Sequence, residues 1–460
     1  MTPYPQSHGR PRPPLALAIG ASLLLLWLPL PFASVTPQGV FIFRLAAALL
    51  LLGAGALIPF APARNPVAIP AAALVLVAGL GLLQARLGCP DILRQHAHNA
   101  DHAMTENEAD LIEFPCWRPF SVSPRASREA ALNWASAAAL LVVGGWLGRH
   151  RMSRRLAGGA LLAGGVFQML YGVPRWRGDT DAIWGAVVAG GDRLRGTFIN
   201  PNHLASFLGL VLPVLLAWVW WASRRAADQE LWERKLLLVA PPALGWLLLF
   251  VALAFTGSRG GLAAALATLI AQAVLLATRK RRSKLAPLLA VVPALALGTV
   301  AIVGLEQGLG RWLATSPHQL AWNTRTEVFA ATVDLWRMAP VFGTGLGTFR
   351  DAFPLVEPAF SGIAFTHAHN DYLELLATTG IVGVLALLLG AGALATRIFR
   401  IFRVGSRRED RAAALAGMGI LVALAVHAVV EFGLSIPAVS GTAALLLGLA
   451  AGAPTQSQSR

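Results

Sequence analysis

The chain of 460 residues is 56% hydrophobic and only 13% charged, with a mean hydropathy of +0.60, and this composition excludes an ordinary soluble globular protein. Its formal net charge of +15 at pH 7 comes from basic residues gathered in short loops between apolar segments. That distribution is typical of a protein embedded in a lipid bilayer, so we expect no nucleic-acid partner.

Twelve apolar segments follow one another along the chain, and each approaches the roughly 20 residues that a helix needs to cross a hydrocarbon core about 30 Å thick. Apolar and polar residues do not alternate at strand length, which favours helices over a β-barrel. We therefore predict an all-α polytopic membrane protein of about twelve transmembrane helices. The segments are residues 14–33, 40–58, 67–87, 130–148, 156–171, 202–222, 235–256, 260–277, 286–305, 372–395, 411–431 and 436–452.

Lysine and arginine collect in every second loop, and more than half of the 38 such residues lie there or near the chain ends. Basic short loops stay in the cytoplasm during insertion, so both termini are predicted to lie inside and the other loops outside. Two of the outside loops are long, residues 87–129 and 306–371. We interpret residues 1–455 as one integral membrane domain and residues 456–460 as a polar tail.

The first long outside loop contains both cysteines, Cys89 and Cys116. An oxidising compartment would permit a disulfide between them, and two free thiols are the alternative. Three histidines lie between the cysteines, but no second ligand pair with zinc-finger spacing accompanies them, so no zinc site is predicted. These histidines are His96, His98 and His102.

The second long outside loop contains a predicted amphipathic helix over residues 322–338. Val328, Ala331 and Leu335 would form its apolar face, and Asn323 is the expected N-cap. We therefore expect this loop to be structured.

Four groups of polar residues lie at the outside ends of apolar segments, where ionisable side chains often mark function. The first group, RLRGTFINPNHLASF (residues 193–207), brings polar side chains to the start of segment six. Its asparagines are equally suited to cap the helix and to bind a substrate. The candidate residues are Arg195, Asn200, Asn202 and His203.

The second group is the turn FTGSRGGL (residues 255–262) between segments seven and eight, which contains Arg259. Its glycines allow close approach to the backbone, and the helix start that follows offers free N–H groups. This pattern favours an anion-binding site, and an arginine that only reaches for the membrane surface is the alternative.

The third group is the predicted helix of the second long loop, where Arg325 lies on the first turn. A role in ligand binding and an ordinary surface ion pair with Glu327 or Asp334 are about equally compatible with the sequence.

The fourth group, THAHNDYLELLATTG (residues 366–380), contains His367 and His369 directly before segment ten. A neutral imidazole is a competent general base when a partner such as Asp371 or Glu374 orients it. Asn370 or Asp371 can also cap the helix, with Glu374 as the reciprocal acid. Metal binding by the two histidines is less favoured, because no carboxylate-rich pattern accompanies them.

These four motifs, in this order and on one side of the membrane, resemble the O-antigen ligase family, the Wzy-type C domain of bacterial glycan ligases and polymerases. The resemblance covers residues 195–381 in detail. It implies a GT-C-type glycosyltransferase of the bacterial inner membrane that needs no metal, cofactor or ATP. Its expected partners are an undecaprenyl-diphosphate-linked glycan and an acceptor glycolipid or glycan at the periplasmic face. Ligation to the lipid A core, polymerisation of O-antigen or exopolysaccharide, and protein glycosylation all remain open.

Residue by residue, the resemblance implies that Arg259 and Arg325 bind the donor diphosphate and that His369 deprotonates the acceptor hydroxyl. A base on the opposite face of the sugar from the leaving group would give inversion. The remaining positions on family motifs are expected to contact substrate; they are Arg195, Asn200, Asn202, His203, His367, Asn370, Asp371 and Glu374.

A transporter or flippase for an anion or a lipid-linked sugar is the alternative, because it would also place arginines around a cavity. It predicts polar groups at mid-helix and an internal repeat, whereas here they gather at helix ends and no repeat is evident. Glu431 and His427 are either a transporter-like pair or part of the wall of the same outside cavity. A structural scaffold in an export complex would need neither these arginines nor these histidines.

Overall fold

The computed structural model describes residues 14–57, 65–86, 121–178, 182–188, 193–278, 322–357 and 365–455. Within these ranges the chain forms helices, joined by short 3₁₀ turns and one two-stranded antiparallel hairpin, β1 (Ala182–Ile183) and β2 (Ala186–Val187). The helices are α1 (Leu15–Trp27), α2 (Pro37–Leu57), α3 (Ala68–Arg86), α4 (Pro124–Leu147), α5 (Arg151–Arg177), α6 (Pro201–Ala226), α7 (Trp232–Phe255), α8 (Arg259–Ala277), α9 (Trp322–Met338), α10 (Phe349–Ala352), α11 (Asp371–Val404), α12 (Arg408–His427) and α13 (Pro437–Ala451).

Nine helices of the described residues are long and apolar enough to cross a membrane, and α1 and α13 are shorter apolar helices. The prediction of an all-α polytopic membrane protein is therefore confirmed. Eleven of the twelve predicted segments coincide with a helix, although the observed ends differ by several residues. The remaining segment, 286–305, lies outside the described residues, as do Cys89 and Cys116.

Close packing of the helices depends on glycine, as is common where membrane helices meet. Helices α4 and α13 cross at Gly144 and Gly448. A Cβ atom at Gly144 would lie 2.4 Å from the carbonyl oxygen of Leu445, and one at Gly448 would lie 2.3 Å from that of Leu141. Any side chain at either position would push the two backbones apart, so the small residues set the distance between these helices.

Helix α9 matches the amphipathic helix predicted for the second long outside loop. Val328, Ala331 and Leu335 are 5% exposed or less, as the predicted apolar face requires. They pack with Phe349 and Phe353 in a small separate core. The helix begins at Trp322, so Asn323 lies within its first turn instead of preceding it. Burial of this face positions the first turn of α9, which contains Arg325.

Helix α11 is kinked at Gly380, whose φ of 61° and ψ of −168° are accessible almost only to glycine. At the kink, backbone N–H groups lose the carbonyl acceptors of a regular helix. Carbonyl groups of the segment after α9 accept their hydrogen bonds instead. The N–H groups of Ile381 and Val382 donate to the carbonyl oxygens of Pro340 (3.0 Å) and Val341 (3.2 Å). The kink therefore fastens this segment to α11, close to the histidine motif.

Replacing Gly380 with alanine is expected to lower the free energy of unfolding by about 1–3 kcal/mol, because the new residue would be held in a strained conformation. Its Cβ atom would also lie 2.2 Å from the carbonyl oxygen of Val341. Gly392→Ala is the matched control in the same helix: nothing lies within 4 Å of its Cβ position, so alanine should be neutral or stabilising there. Thermal unfolding in detergent measures both. Equal melting temperatures for the two variants would contradict this account of the kink.

The three basic loops within the described ranges, after α4, α6 and α11, meet at one end of the bundle, where they form ion pairs. Arg151 binds Glu409, Arg154 binds Asp410 at 2.5 Å and Arg408 binds Asp228 at 2.5 Å. The starts of α6, α8, α11 and α13 lie at the opposite end. This separation is the one that the positive-inside pattern requires, and the candidate polar groups lie at the end away from the basic loops.

Candidate functional site

A buried carboxylate lies at the centre of the polar end of the bundle. Glu431 is in the short connection between α12 and α13 and is only 2% exposed. Its Oε1 accepts a hydrogen bond from Asn202 Nδ2 at 2.5 Å and lies 3.5 Å from Arg325 Nη2. Its Oε2 lies 3.5 Å from His369 Nδ1. One acid thus joins the start of α6, the first turn of α9 and the histidine motif.

Arg193 extends this network to the turn before α8. Its Nη2 donates to Asn202 Oδ1 at 2.6 Å, and its Nε donates to the carbonyl oxygen of Thr256 at 2.6 Å. Gly257, with φ of 62°, passes so close that a Cβ atom there would lie 3.1 Å from Arg193 Nε. The side chain of Asn202 therefore bridges a cation and an anion: its amide oxygen faces Arg193 and its amide nitrogen faces Glu431.

Arg259 is the first residue of α8 and is exposed. Ser258 caps the helix, since its Oγ accepts from the N–H of Gly261 at 3.2 Å. Gly260 packs so closely on the α12–α13 connection that a Cβ atom would lie 2.4 Å from Val430 Cγ2. The carbonyl oxygen of Val430 in turn accepts from Arg325 Nη1 at 3.5 Å. The start of α8 and the first turn of α9 therefore meet on the same short connection.

His369 lies directly before the start of α11 in an unusual backbone conformation. Its φ of 51° places a non-glycine residue in the left-handed region, which persists only where surrounding contacts impose it. Asn370 follows as the N-cap of α11 and accepts from the N–H groups of Tyr372 and Leu373 at 3.0 and 3.1 Å. The cap fixes the helix start, and the left-handed residue before it turns the imidazole towards Glu431.

His367 has a different partner. Its Nδ1 and Glu374 Oε1 are 2.9 Å apart, and Glu374 Oε2 accepts from the N–H of Ala368 at 2.9 Å. Glu374 is thus not the reciprocal capping acid that the sequence suggested, because its carboxylate folds back on the histidine loop. Asp371 is bound to the connection between α12 and α13, where its Oδ2 accepts from the N–H of Leu434 at 3.1 Å. The two histidines consequently differ in the acid that each one faces.

The structure decides between alternatives that the sequence left open. Arg325 contacts Glu431 instead of Glu327 or Asp334, and Arg337 binds Asp334 at 2.7 Å. Asn200 is the N-cap of α6 and accepts from the N–H of Asn202 at 2.8 Å, whereas the side chain of Asn202 bridges Arg193 and Glu431.

Arg195 and His203 lie at the edge of the Glu431 network. Arg195 is buried and donates to the carbonyl oxygen of Val188 at 2.8 Å. It lines an open pocket beside Arg175 and Arg193. His203 is 6% exposed and touches Phe432 edge-on, with ring centroids 4.7 Å apart. Both residues thus lie beside the network, Arg195 through its bond to Val188 and His203 through its contact with Phe432.

The comparison with known families addresses the same part of the chain. Residues 244–388 match the family model described as O-Antigen ligase. The resemblance seen in the motifs is therefore confirmed. No curated protein matches the chain.

The O-antigen ligase match covers α8, α9 and the first half of α11, with Arg259, Arg325 and His369. It ends before Glu431, and Asn202 precedes it. The site as folded thus combines the O-antigen ligase region with residues from outside it. A multi-pass bacterial membrane protein of O-antigen ligase or polymerase type is what the match and the helices together support.

Sequence reasoning missed two residues of the assembled site, Arg193 and Phe432. Arg193 lies in the motif of segment six, two residues before Arg195. The sequence does mark Glu431, as a charged residue at the end of an apolar segment, where burial is costly. Its role as the common partner of Asn202, Arg325 and His369 depends on contacts between segments more than 50 residues apart.

The charge of Glu431 is stabilised by its surroundings. Burial alone raises the pKa of a carboxyl group, but the facing imidazole of His369, the nearby His203 and the guanidinium of Arg325 outweigh burial and lower the pKa of Glu431. Since the pKa is lowered in the folded protein, ionised Glu431 stabilises the fold above its ordinary pKa of 4.5. This contribution is lost as pH falls through the lower pKa of the folded state.

Replacing Glu431 with glutamine should therefore destabilise the protein at pH 7, by on the order of 1–3 kcal/mol, because Arg325 and the imidazole of His369 lose their buried counter-charge. The difference from the wild type should begin to shrink as the pH falls below 4.5 and should vanish below the lower pKa of the folded state, where the wild-type carboxyl itself becomes neutral. Thermal unfolding at pH 7 and at several pH values below 4.5 measures this. Glu230→Gln, at an exposed turn, is the control and should show no such difference. A pH-independent effect of Glu431→Gln would contradict an ionised carboxylate.

Proposed function

We infer that this protein is a GT-C-type glycosyltransferase that moves a glycan from undecaprenyl diphosphate to an acceptor hydroxyl on the periplasmic side of the inner membrane. The observation that carries the proposal is the convergence of Arg325 and His369 on buried Glu431, beside the helix start that bears Arg259. A cation for the leaving group and a base for the nucleophile are the two groups that such a transfer needs.

The donor diphosphate would bind between Arg259 and Arg325. Negative charge grows on its bridging oxygen as the bond to the sugar breaks, and preorganised guanidinium groups stabilise this charge. The start of α8 adds backbone N–H groups and the positive end of the helix dipole. Arg325 can serve the diphosphate while it contacts Glu431, because a guanidinium carries five N–H donors. Glu431 then fixes its direction.

The acceptor would be activated by His369. With Nδ1 facing Glu431, the neutral imidazole directs Nε2 to the acceptor hydroxyl and takes its proton as the oxygen attacks the anomeric carbon. The new bond between the acceptor oxygen and the sugar forms while the bond to the diphosphate breaks. The resulting imidazolium remains beside the carboxylate of Glu431, which stabilises it. Attack from the face opposite the leaving group inverts the anomeric configuration.

The other residues of the motifs would orient the two substrates. Asn202 is hydrogen-bonded to both Arg193 and Glu431, so its contribution would be to keep these two charged side chains in fixed positions. His367 precedes His369 by two residues and is bound to Glu374. Its imidazole would contact the acceptor sugar. Asn200, Asn370 and Asp371 use their side-chain oxygens in helix starts and connections and would act by positioning these segments.

Reconstitution in liposomes tests this proposal directly. The purified protein would be supplied with undecaprenyl-diphosphate glycan and candidate acceptors, in EDTA and without nucleotide. A new glycosidic bond with inverted configuration, together with released undecaprenyl diphosphate, is the expected result. The product also distinguishes a ligase, which modifies a glycolipid, from a polymerase, which extends the glycan. Movement of the lipid-linked glycan between leaflets without a new bond would favour the transporter alternative and overturn the proposal.

A further inference from the structure

Phe432 is surrounded by three of the histidines of the site. Its ring lies parallel to that of His367, with centroids 3.9 Å apart and an angle of 10°. The rings of His369 and His203 stand nearly perpendicular to it, at 5.0 Å and 78° and at 4.7 Å and 85°. The residue is 8% exposed. A single phenyl ring therefore contacts every histidine that the sequence motifs singled out.

Histidine needs such support when its two nitrogens have different tasks. The χ2 torsion of histidine has broad, roughly two-fold preferences, and a half-turn about it exchanges Nδ1 with Cδ2 and Nε2 with Cε1, so that both nitrogens leave their intended partners. The contact that would select the orientation of His369 is long, since Nδ1 lies 3.5 Å from Glu431 Oε2. Hydrogen bonding at this distance holds a ring only weakly. Packing against a flat, buried surface is what remains to fix the plane of the imidazole.

The same ring separates the two histidines. His367 lies against Phe432 and bonds Glu374, whereas His369 meets Phe432 at a steep angle and faces Glu431. Each imidazole thus has its own acid. The contact with His369 has the edge-to-face geometry that aromatic pairs favour. A leucine would fill similar space but would offer no planar surface.

We propose that Phe432 is a positioning residue, whose ring fixes the planes of His367 and His369 so that His369 keeps Nε2 directed at the acceptor. This inference rests on the proposed function. It assigns no chemistry to Phe432 itself, which acts only through the imidazoles. The alternative is a purely structural role, in which Phe432 only packs between α6 and α11. Its replacement should then affect stability alone.

Comparison of Phe432→Leu, Phe432→Tyr and the wild type in the reconstituted transfer reaction separates these alternatives. Phe432→Leu should lower kcat by about 10–100-fold, since small misplacements of a catalytic group have effects of this size. KM for the lipid-linked donor should change less than about 3-fold, because Arg259 and Arg325 are untouched. Phe432→Tyr keeps the ring and should retain kcat within about 3-fold of the wild type. The control is Phe250→Leu, which removes a ring that is 1% exposed and stacked on Trp246 at 5.0 Å.

The outcomes are distinguishable from failure of the proposed function, because that failure would leave the wild type without transfer. If the wild type is active and Phe432→Leu loses no more kcat than Phe250→Leu at equal amounts of folded protein, the inference is overturned. A loss in Phe432→Tyr as large as that in Phe432→Leu also overturns it, since the ring would then not be the important feature. Thermal unfolding of each variant shows how much folded protein is assayed.

Discussion

Replacing His369 with alanine is expected to reduce glycan transfer by about 10²–10⁴-fold, the range typical of a lost general base. The reason is specific to its position: Nδ1 faces buried Glu431, so only the opposite nitrogen remains for the acceptor. The loss should appear in kcat, with little change in KM for the lipid-linked donor, because the arginines that would bind the diphosphate are intact. Initial rates in reconstituted liposomes measure both quantities.

His150→Ala is the control for this substitution. His150 lies between α4 and α5, at the end of the bundle where the basic loops meet. Its replacement should leave transfer unchanged. His367→Ala should have a smaller effect than His369→Ala, since its acid partner is Glu374 and its expected role is to contact the acceptor. If His367→Ala abolished transfer and His369→Ala did not, the assignment of the base would be reversed.

Replacing Arg325 with alanine is expected to lower transfer by about 10²–10³-fold, as for other preorganised groups that stabilise a developing negative charge. Arg325→Lys should recover only part of the activity, because an ammonium group cannot reproduce the fork of a guanidinium that contacts both the diphosphate and Glu431. Arg259→Ala should behave similarly. Rates with the lipid-linked donor, and competition by a non-hydrolysable diphosphate analogue, measure the loss.

The same helix provides the matched control. Arg337 is 69% exposed and binds Asp334 one turn away, so Arg337→Ala removes an identical charge from α9 without affecting the buried network. It should retain wild-type transfer. Equal losses in Arg325→Ala and Arg337→Ala would mean that α9 contributes only general positive charge, and the diphosphate site would have to be placed elsewhere.

The helices were predictable from the sequence because membrane insertion is governed by local composition. About 20 apolar residues suffice for a span whatever their neighbours are, and eleven of the twelve predicted segments lie on observed helices. The amphipathic helix α9 was predictable for a similar reason: its three buried residues follow the helical repeat. The exact ends were less predictable, since α5 and α11 continue beyond their apolar cores into segments that contain arginine.

The partners of the polar residues were not predictable in the same way. Short-range reasoning offered Glu327 or Asp334 as an alternative partner of Arg325, a capping role as an alternative for Glu374, and Asp371 or Glu374 as the residue that orients the base. In the folded protein His369 and Arg325 both face Glu431. A charged residue in a membrane protein selects the partner that removes it from apolar surroundings, and that partner is set by the packing of distant helices.

The amino-acid sequence by itself determined that this chain is a helical membrane protein, which polar groups stand at the ends of its helices, and the O-antigen ligase motifs that residues 244–388 carry. Only the tertiary structure decided that Glu431 joins Asn202, Arg325 and His369, and that Phe432 lies among the histidines. The physical reason is range. Hydrophobicity and helix capping act over a few residues of chain, whereas a buried charge network forms between whichever segments the packed helices bring within a few ångströms.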